Sequence, residues 1–338
     1  SIVAFGSGRN YNNGQYAGTV LIYRRNNNTW EAIGQIDGDA RHDVAGESIS
    51  LSADGTIIAI GARGVDDNGK VDSGHTRIYR YVNDNSWTQV GSDIDGEDAG
   101  DYSGSSVSLS DNGTTVAIGA YLNDDNGVDS GTTRIYQYAS NSWSQLGSDI
   151  DGEAADDRSG FSVSLSDDGT IVAIGAYLND GNGSNSGHTS IYQYASGSNS
   201  WSQLGSDIDG EAANDYSGIS VSLSDDGTIV AIGAQLNDGN GSSSGHTRIY
   251  QYANDSWTQL GSDIDGEAAN DRSGFSVSLS DDGTIVAIGA YANDGNGSNS
   301  GHTSIYQYAN DSWTQLGSDI NGEAANDYSG ISVSLSDD

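Results

Sequence analysis

The feature that most constrains the fold is a tryptophan that recurs every 56–58 residues. It occurs six times, at Trp30, Trp87, Trp143, Trp201, Trp257 and Trp313. A fixed period of this length is typical of repeat architectures, in which each unit is one supersecondary structure that packs on its neighbours. We therefore expect a single domain over residues 1–338, made of six repeats of about 56 residues.

The apolar pattern predicts four strands in each repeat. The first strand alternates apolar residues with serines, which is the period-2 pattern of a strand with one buried face. A tight turn at Asp168-Gly169 leads to a second strand that is apolar on both faces, and its Ala and Gly residues allow neighbouring sheets to approach closely. In the fourth repeat the predicted strands cover residues 161–166, 171–176, 190–194 and 201–208.

Four antiparallel strands at this repeat length predict an all-β fold, a six-bladed β-propeller with four strands per blade. A parallel β-solenoid is the alternative, but its coils are usually shorter and lack Asp-Gly hairpins. The chain starts inside a second strand, Ile2–Gly6, and stops just after a first strand, Ile331–Ser336. We expect the C-terminal strand to join the N-terminal blade and close the ring, through a hairpin that includes Asp337 and Asp338. The alternative is a longer array trimmed at this point.

The charge balance excludes several partners. The chain has 48 acidic and 12 basic residues and a net charge of −36, which repels nucleic acid and anionic membranes and favours cations. It has no Cys, so it has no disulfide framework or thiolate metal site, and no apolar run approaches the roughly 20 residues that span a bilayer. We expect an extracellular or cell-surface protein and, because Met is absent, a processed product or a fragment.

Three motifs resemble those of the FG-GAP repeat, the blade of integrin α-subunit propellers and of many bacterial and algal surface proteins. They are Gly-Phe-Ser-Val-Ser-Leu at 160–165, Val-Ala-Ile-Gly-Ala at 172–176 and Ile-Tyr-Gln-Tyr at 191–194, and related segments recur along the whole chain. The resemblance implies an extracellular propeller used in adhesion or ligand binding, often with calcium. Two features differ from the family pattern: integrin propellers have seven blades, and the family's calcium loop is replaced here by the short turn at 166–170.

Two other loops in each repeat predict Ca²⁺ binding. The loop after the second strand spaces side-chain oxygens with glycines, as loops that enclose a hard cation do, and the linker between repeats is rich in acids. We expect both loops on one face. The predicted ligands are Asp66, Asp124, Asp180, Asn182, Asp238, Asn240, Asp294 and Asn296 in the first loop, and Asp151, Glu153, Asp157, Asp209, Glu211, Asp265 and Glu267 in the linker. The alternative is that these are turn residues that keep the surface soluble.

Other recurring polar residues have simpler interpretations. A histidine in Ser-Gly-His-Thr begins the third strand in four repeats, and we interpret it as structural because Thr132 replaces it in the third repeat. We interpret the tryptophans as packing residues, with a sugar-stacking platform as the alternative. The histidines are His75, His188, His246 and His302, and candidate N-glycosylation sites are Asn27, Asn112, Asn182, Asn240, Asn254, Asn296 and Asn310.

The repetition itself argues against catalysis. Acid–base catalysis needs groups whose pKa values are pushed apart, whereas residues that recur in every repeat suggest equivalent environments. We therefore predict that the chain is not an enzyme and has no catalytic residues. The predicted function is a non-catalytic extracellular binding or structural module in adhesion, at a cell surface, in a matrix or in a filament, and the alternative is a repeat lectin that binds glycans between blades. The expected partner is an extracellular protein or glycan, or a second copy of the chain, with no nucleic acid and no membrane insertion.

Overall fold

A computed structural model describes residues 1–67, 69–83 and 86–336. The described residues contain strands and turns and no helix, and the chain is a six-bladed β-propeller with antiparallel blades, as the sequence predicts. Two compact units are distinguished, residues 1–169 with 195–201, and residues 170–194 with 202–338. The described residues include no helix of the length and apolar character needed to cross a membrane.

The first unit contains the first three repeats and the start of the fourth. Strand order within each sheet follows the chain, and in the second and third repeats a fifth, two-residue strand pairs with the third strand. The strands are β1 (Ile2–Ser7), β2 (Thr19–Asn26) and β3 (Thr29–Asp37); β4 (Ser48–Leu51), β5 (Ile57–Ala62), β6 (His75–Asn83), β7 (Ser86–Gln89) and β8 (Ile94–Asp95); β9 (Ser106–Leu109), β10 (Thr115–Ala120), β11 (Thr132–Ala139), β12 (Ser142–Gln145) and β13 (Ile150–Asp151); and β14 (Ser162–Leu165).

The fourth repeat continues with β15 (Ile171–Ala176), β16 (His188–Ala195), β17 (Ser200–Gln203) and β18 (Ile208–Asp209). The second unit also holds the fifth and sixth repeats, which repeat the pattern of four strands plus a short fifth. Their strands are β19 (Ser217–Leu223), β20 (Ile229–Ala234), β21 (His246–Ala253), β22 (Ser256–Gln259) and β23 (Ile264–Asp265), then β24 (Ser273–Leu279), β25 (Ile285–Ala290), β26 (His302–Ala309), β27 (Ser312–Gln315) and β28 (Ile320–Asn321).

The predicted fourth strand is interrupted, and this interruption shapes the functional site. In the fifth repeat β22 ends at Gln259 and β23 begins at Ile264, and Gly261 between them has φ +77°, a backbone conformation that glycine adopts without a steric penalty. The turn brings β23 back onto the start of β21, where Asp265 lies opposite His246. The first repeat has no such break, and its β3 is continuous over Thr29–Asp37.

The core lies on the second strands of the second to sixth repeats and between neighbouring repeats, whereas β1 in the first repeat has no buried residue. All six residues of β10 and of β20 are buried, as expected for a strand that is covered on both faces. Val116 and Ile118 of β10 pack in one cluster with Ile78 of the preceding repeat. The predicted close approach of sheets is confirmed, since a Cβ added to Gly119 would lie 1.9 Å from the carbonyl oxygen of Gly160.

The recurring tryptophans connect successive repeats. The Trp143 Nε1–H donates to the Val90 carbonyl at 2.8 Å, and Trp257 donates to the Leu204 carbonyl at 2.7 Å. Both rings also pack against buried clusters, so the interpretation as packing residues is confirmed for Trp143 and Trp257. Trp30, in the first repeat, is 52% exposed.

Ring closure stays a prediction. The first sheet contains the three strands β1, β2 and β3, and residues 331–336 lie in none of the described strands. Asp337 and Asp338, which the predicted closing hairpin includes, lie outside the described residues.

Candidate active site

The candidate site of the first unit lies at the start of β6. His75 and Arg77 are two residues apart on this strand and therefore lie on the same face of the sheet. Asp95 of β8 lies opposite His75, and Asp93 precedes β8 after the glycine break. One ring nitrogen of His75 and one carboxylate oxygen from each of Asp93 and Asp95 lie within 4.8 Å of one another.

Arg77 holds the carboxylates in place. Its Nε and Nη2 atoms donate to Asp93 Oδ2 at 2.9 and 2.8 Å, and its Nη1 donates to Asp39 Oδ2 of the preceding repeat at 2.6 Å. Gln89 Nε2 donates to the other oxygen of Asp93 at 2.5 Å. Partial burial opposes ionisation of Asp93, but the hydrogen bonds from Arg77 and Gln89 outweigh it and hold the pKa of Asp93 below its usual value.

The neighbouring groups are shifted in other directions. Burial, a hydrogen bond with Asp67 and the negative charge of Asp67 raise the pKa of Asp95 to about 6. Burial and the nearby positive charge of Arg77 lower the pKa of His75 to about 4, so its imidazole is neutral at pH 7. Two carboxylates beside one neutral histidine therefore have pKa values displaced in opposite directions, which is a common feature of hydrolytic sites.

A small cleft opens beside these groups. It is lined by Asp39, Asp43, His75, Arg77 and Tyr79 over an apolar floor. Asp43 Oδ2 accepts a hydrogen bond from the Ala40 amide at 2.7 Å, which fixes the loop that carries Asp39. The cleft thus presents a cation, a neutral imidazole and carboxylates on one surface.

The equivalent positions in other repeats are not equivalent chemically. In the third repeat Thr132 replaces the histidine and donates to Asp151 Oδ1 at 2.9 Å. In the fifth repeat Arg248 pairs with Asp263 through two hydrogen bonds of 2.9 Å, as Arg77 pairs with Asp93, but its other partner is Glu211 where Arg77 has Asp39. In the sixth repeat Ser304 takes the arginine's place and donates to Asp319 at 2.6 Å. Repetition in the sequence therefore does not produce six identical environments.

Most predicted calcium ligands of the first loop make hydrogen bonds within the loop or to the linker. Asp238 Oδ1 accepts from the Ser243 amide at 2.7 Å, and Asn240 Nδ2 donates to the carbonyls of Gly266 and Glu267 at 2.9 and 3.0 Å. The same contacts recur at other copies, where the aspartates are Asp66, Asp124, Asp180 and Asp294 and the asparagines are Asn182 and Asn296. Calcium at these residues stays a prediction.

The linker acids lie in different surroundings, and Asp151, Asp209 and Asp265 are in the short strands β13, β18 and β23. Asp157 Oδ2 accepts from the Ala154 amide at 3.0 Å, so it stabilises the linker turn. Glu211 and Glu267, in contrast, each lie with a histidine and an aspartate whose ligand atoms could together hold a metal ion. The sequence interpretation missed these histidines and aspartates, although the glycine before each Ser-Asp-Ile segment marked the turn that brings them together. The groups are Glu211 with His246 and Asp263, and Glu267 with His302 and Asp319.

The candidate glycosylation sites also differ in their surroundings. The amides of Asn182, Asn240 and Asn296 donate to backbone carbonyls of the linker, as above. Asn27, Asn254 and Asn310 lie instead at exposed hairpin tips, with φ values of +46°, +52° and +52°. Glycosylation at any of these positions stays a prediction.

A scan against protein-family models found the FG-GAP repeat four times, at residues 92–136, 149–192, 208–250 and 263–306. These segments cover more than half of the chain. The chain belongs to the FG-GAP repeat family. A search of the curated proteins found no match.

Solved structures show where this FG-GAP propeller fold also occurs. The chain is similar to a candidate 6-phosphogluconolactonase of Bacteroides uniformis, at 13% identity and TM-score 0.62, over 94% of this chain and 82% of that one. It is also similar to the periplasmic gluconolactonase of Pseudomonas aeruginosa, at 15% identity and TM-score 0.61, over 96% and 83%. A third similar structure is the hydrazine synthase of Kuenenia stuttgartiensis, at 11% identity and TM-score 0.57, over 95% and 84%. At these identities the likeness is one of fold.

These findings overturn two predictions from the sequence. The prediction of a non-catalytic binding or structural module, with a lectin as its alternative, is wrong. The prediction that the chain is not an enzyme is also wrong. The reason in both cases is that the similar propellers include two lactonases. The physical error lay in expecting no division of roles among the repeated acids. Asp93 and Asp95 are two residues apart, yet their pKa values are shifted in opposite directions.

Proposed function

We propose that this FG-GAP protein is a lactonase that hydrolyses the ring ester of a sugar lactone at the His75–Arg77–Asp93–Asp95 site. The observation that carries the proposal is the pair of carboxylates with oppositely displaced pKa values beside a neutral histidine and an arginine. The lactonases that share the fold supply the reaction class.

The residues suit general-base hydrolysis. Asp95, with a pKa of about 6, is ionised at neutral pH and basic enough to accept a proton from a water molecule. The water oxygen adds to the lactone carbonyl carbon, and the developing oxyanion is stabilised by the charge of Arg77 and an N–H of neutral His75. The carbonyl then re-forms as the ring C–O bond breaks, and the departing ring oxygen takes the proton from Asp95. The product is the open hydroxy acid.

The charge of the protein selects among sugar lactones. Asp37, Asp39 and Asp43 line the cleft, and the chain carries a net charge of −36. A phosphate on the substrate would meet this negative potential, whereas the hydroxyls of a neutral sugar can donate to the carboxylates. We therefore expect gluconolactone to be a better substrate than 6-phosphogluconolactone.

The test compares two aspartates at equivalent places. Proton release from gluconolactone is followed at constant pH for the native protein, Asp95→Asn and Asp265→Asn, after subtraction of spontaneous hydrolysis. Asp265 lies opposite His246 as Asp95 lies opposite His75, so it is a matched structural control. We expect Asp95→Asn to lose about 100-fold or more in rate, within the range of general-base catalysis, and Asp265→Asn to keep the native rate.

The outcomes separate the site from the activity. A native protein that does not exceed the spontaneous rate would refute the lactonase proposal. Equal losses in both variants would refute the assignment of the reaction to the second repeat. In the native protein the rate should rise with pH as Asp95 ionises, with a midpoint near 6, and a rate that is flat between pH 5 and 7 would exclude Asp95 as the base.

We further propose that the acidic loops bind Ca²⁺ outside the cell. The net charge of −36 and the carboxylates in the loops support binding of hard cations. A cation that binds the native state raises the unfolding midpoint by an amount set by its concentration relative to its Kd. Thermal unfolding after chelation should show a higher midpoint when millimolar calcium is restored, and an unchanged midpoint would contradict calcium binding.

A further inference from the structure

The sixth repeat contains a group of metal-binding side chains that the proposed lactonase site does not use. We propose that Glu267, His302 and Asp319 form a binding site for a divalent transition-metal ion, and that Arg248 replaces this ion in the fifth repeat. One ligand atom from each of the three side chains lies within 4.8 Å of the other two. The proposal does not depend on lactonase activity.

The free ligand atoms of the sixth repeat support the site. His302 is 4% exposed, and its Nδ1 has no hydrogen-bond or ion-pair partner among the described residues. Ser304 and Gln315 both donate to Asp319 Oδ1 at 2.6 Å, and no described residue donates to Oδ2. The side-chain carboxylate of Glu267 likewise receives no hydrogen bond from the described residues. An imidazole nitrogen of a buried histidine and two carboxylates therefore converge, and no described Lys or Arg side chain pairs with them.

The fifth repeat shows what fills the equivalent place. Arg248 donates through Nε and Nη2 to both oxygens of Asp263, at 2.9 Å each, and its Nη2 also pairs with Glu211. His246 Nδ1 faces the same carboxylates, 3.8 Å from Glu211 Oε2 and 4.0 Å from Asp263 Oδ2. The guanidinium thus provides the positive charge at this place. In the sixth repeat Ser304 has too short a side chain to do so, and no described Lys or Arg side chain forms an ion pair with Glu267 or Asp319.

Ser304 also orients the ligands. The Ser304 hydroxyl donates its hydrogen bond to Asp319. In the 3.4 Å contact with His302 Nε2, the serine oxygen therefore accepts a hydrogen bond from the imidazole N–H. This places the proton on Nε2 and the lone pair on Nδ1, the nitrogen that is free to bind a metal. Outer contacts of this kind fix the tautomer of metal-binding histidines and orient carboxylate ligands.

The donor set indicates the class of ion. Imidazole nitrogen is a good ligand for Zn²⁺, Co²⁺ and Ni²⁺, whereas Ca²⁺ takes oxygen ligands, and three protein ligands leave a further position for water. The site should therefore prefer zinc over calcium. Zinc and cobalt are the probes of choice, because cobalt reports its coordination by visible absorption.

The test exchanges residues that the repeats themselves supply. Ser304→Arg copies Arg248, and Arg248→Ser copies Ser304, so each variant carries a side chain already found at that position. Zinc stoichiometry is measured by titration calorimetry on the full chain, with circular dichroism to confirm the fold. We expect Ser304→Arg to bind one zinc ion fewer than the native protein and Arg248→Ser to bind one more. Ser304→Ala, which removes only the orienting hydroxyl, should bind about 10–100-fold more weakly.

Each result has a defined meaning. Unchanged zinc stoichiometry in folded Ser304→Arg would overturn the site, and Arg248→Ser without a gained ion would overturn the view that the guanidinium replaces the metal. Should Ser304→Arg fail to fold, His302→Thr, which copies Thr132, takes its place with the same expected loss of one ion. If calcium abolishes the cobalt absorption as readily as zinc does, the site binds hard cations. That result would also overturn the proposal.

Discussion

Gly119 of β10 lies at a place where two neighbouring repeats approach each other closely. A Cβ atom added there would be 1.9 Å from the Gly160 carbonyl oxygen and 2.3 Å from Ser106 Oγ, whereas real Cβ atoms essentially never approach closer than 3.0 Å. The Gly119→Ala variant must therefore separate two backbone segments by about 1 Å, since the nearest obstacle is a carbonyl and not a flexible side chain.

The expected destabilisation has two parts. Overpacking in a dense interior costs about 1–3 kcal/mol. Movement of the Gly160 carbonyl also weakens its buried 2.7 Å hydrogen bond from Ser106 Oγ, which contributes about 1 kcal/mol. We therefore expect Gly119→Ala to lower the free energy of unfolding by about 2–4 kcal/mol, and to lower Tm by several degrees.

Gly197→Ala is the matched control. This glycine lies in an exposed hairpin, an added Cβ would meet no atom within 4 Å, and its φ is not in the left-handed region. The substitution should be neutral or stabilising by up to about 1 kcal/mol, because it restricts the unfolded chain. Urea unfolding followed by tryptophan fluorescence measures both variants. Equal midpoints for Gly119→Ala and Gly197→Ala would refute the argument that glycine is required for close packing of repeats.

Two further predictions concern acid stability and the contacts between repeats. His75 has its pKa lowered to about 4, so between about pH 6.5 and 4 the unfolded chain binds a proton that the folded chain does not, and stability falls as pH decreases through this window. His75→Thr, which copies Thr132, should reduce that loss by up to about 3 kcal/mol in urea unfolding at pH 7 and 4, and an unchanged pH dependence would contradict the assignment. Trp257→Phe removes the 2.7 Å hydrogen bond to Leu204 and should destabilise the protein by about 1 kcal/mol. Trp30→Phe, at a residue that is 52% exposed, should change the stability by no more than about 0.5 kcal/mol. Equal effects of the two variants in thermal unfolding would exclude the hydrogen bond as the cause.

The sequence predicted the fold because its strand and turn signals are local and repeated. The apolar run 171–176 became β15 with the same bounds, and the Asp168-Gly169 turn has Gly169 at φ +68°. The split of the fourth strand was missed. The apolar pattern of this strand continues through the break. Only the glycine in the left-handed backbone region, such as Gly261, marks the point where the strand stops pairing with its neighbour.

The candidate site was harder to predict because it is assembled across repeats. Asp39 precedes Arg77 by 38 residues, and no sequence period places the two charges 2.6 Å apart. The shift of Asp95 likewise depends on Asp67, which lies in a different loop. Charge contacts between loops are decided by the three-dimensional path of the chain, so residue patterns alone predicted the acidic loops but not the raised pKa of Asp95.

A single residue at one strand position accounts for the difference between the sites of the fifth and sixth repeats. Two positions after the start of β21 and β26 the side chain is Arg248 or Ser304, and the surrounding histidine and carboxylates are otherwise matched. An arginine supplies a permanent positive charge and fixes both oxygens of its aspartate, whereas a serine leaves one oxygen and the imidazole free. Near-identical repeats can thus provide an ion-paired site or a metal-binding site by one substitution. Functional differences within such a propeller should therefore be sought at this strand position before the more variable loops.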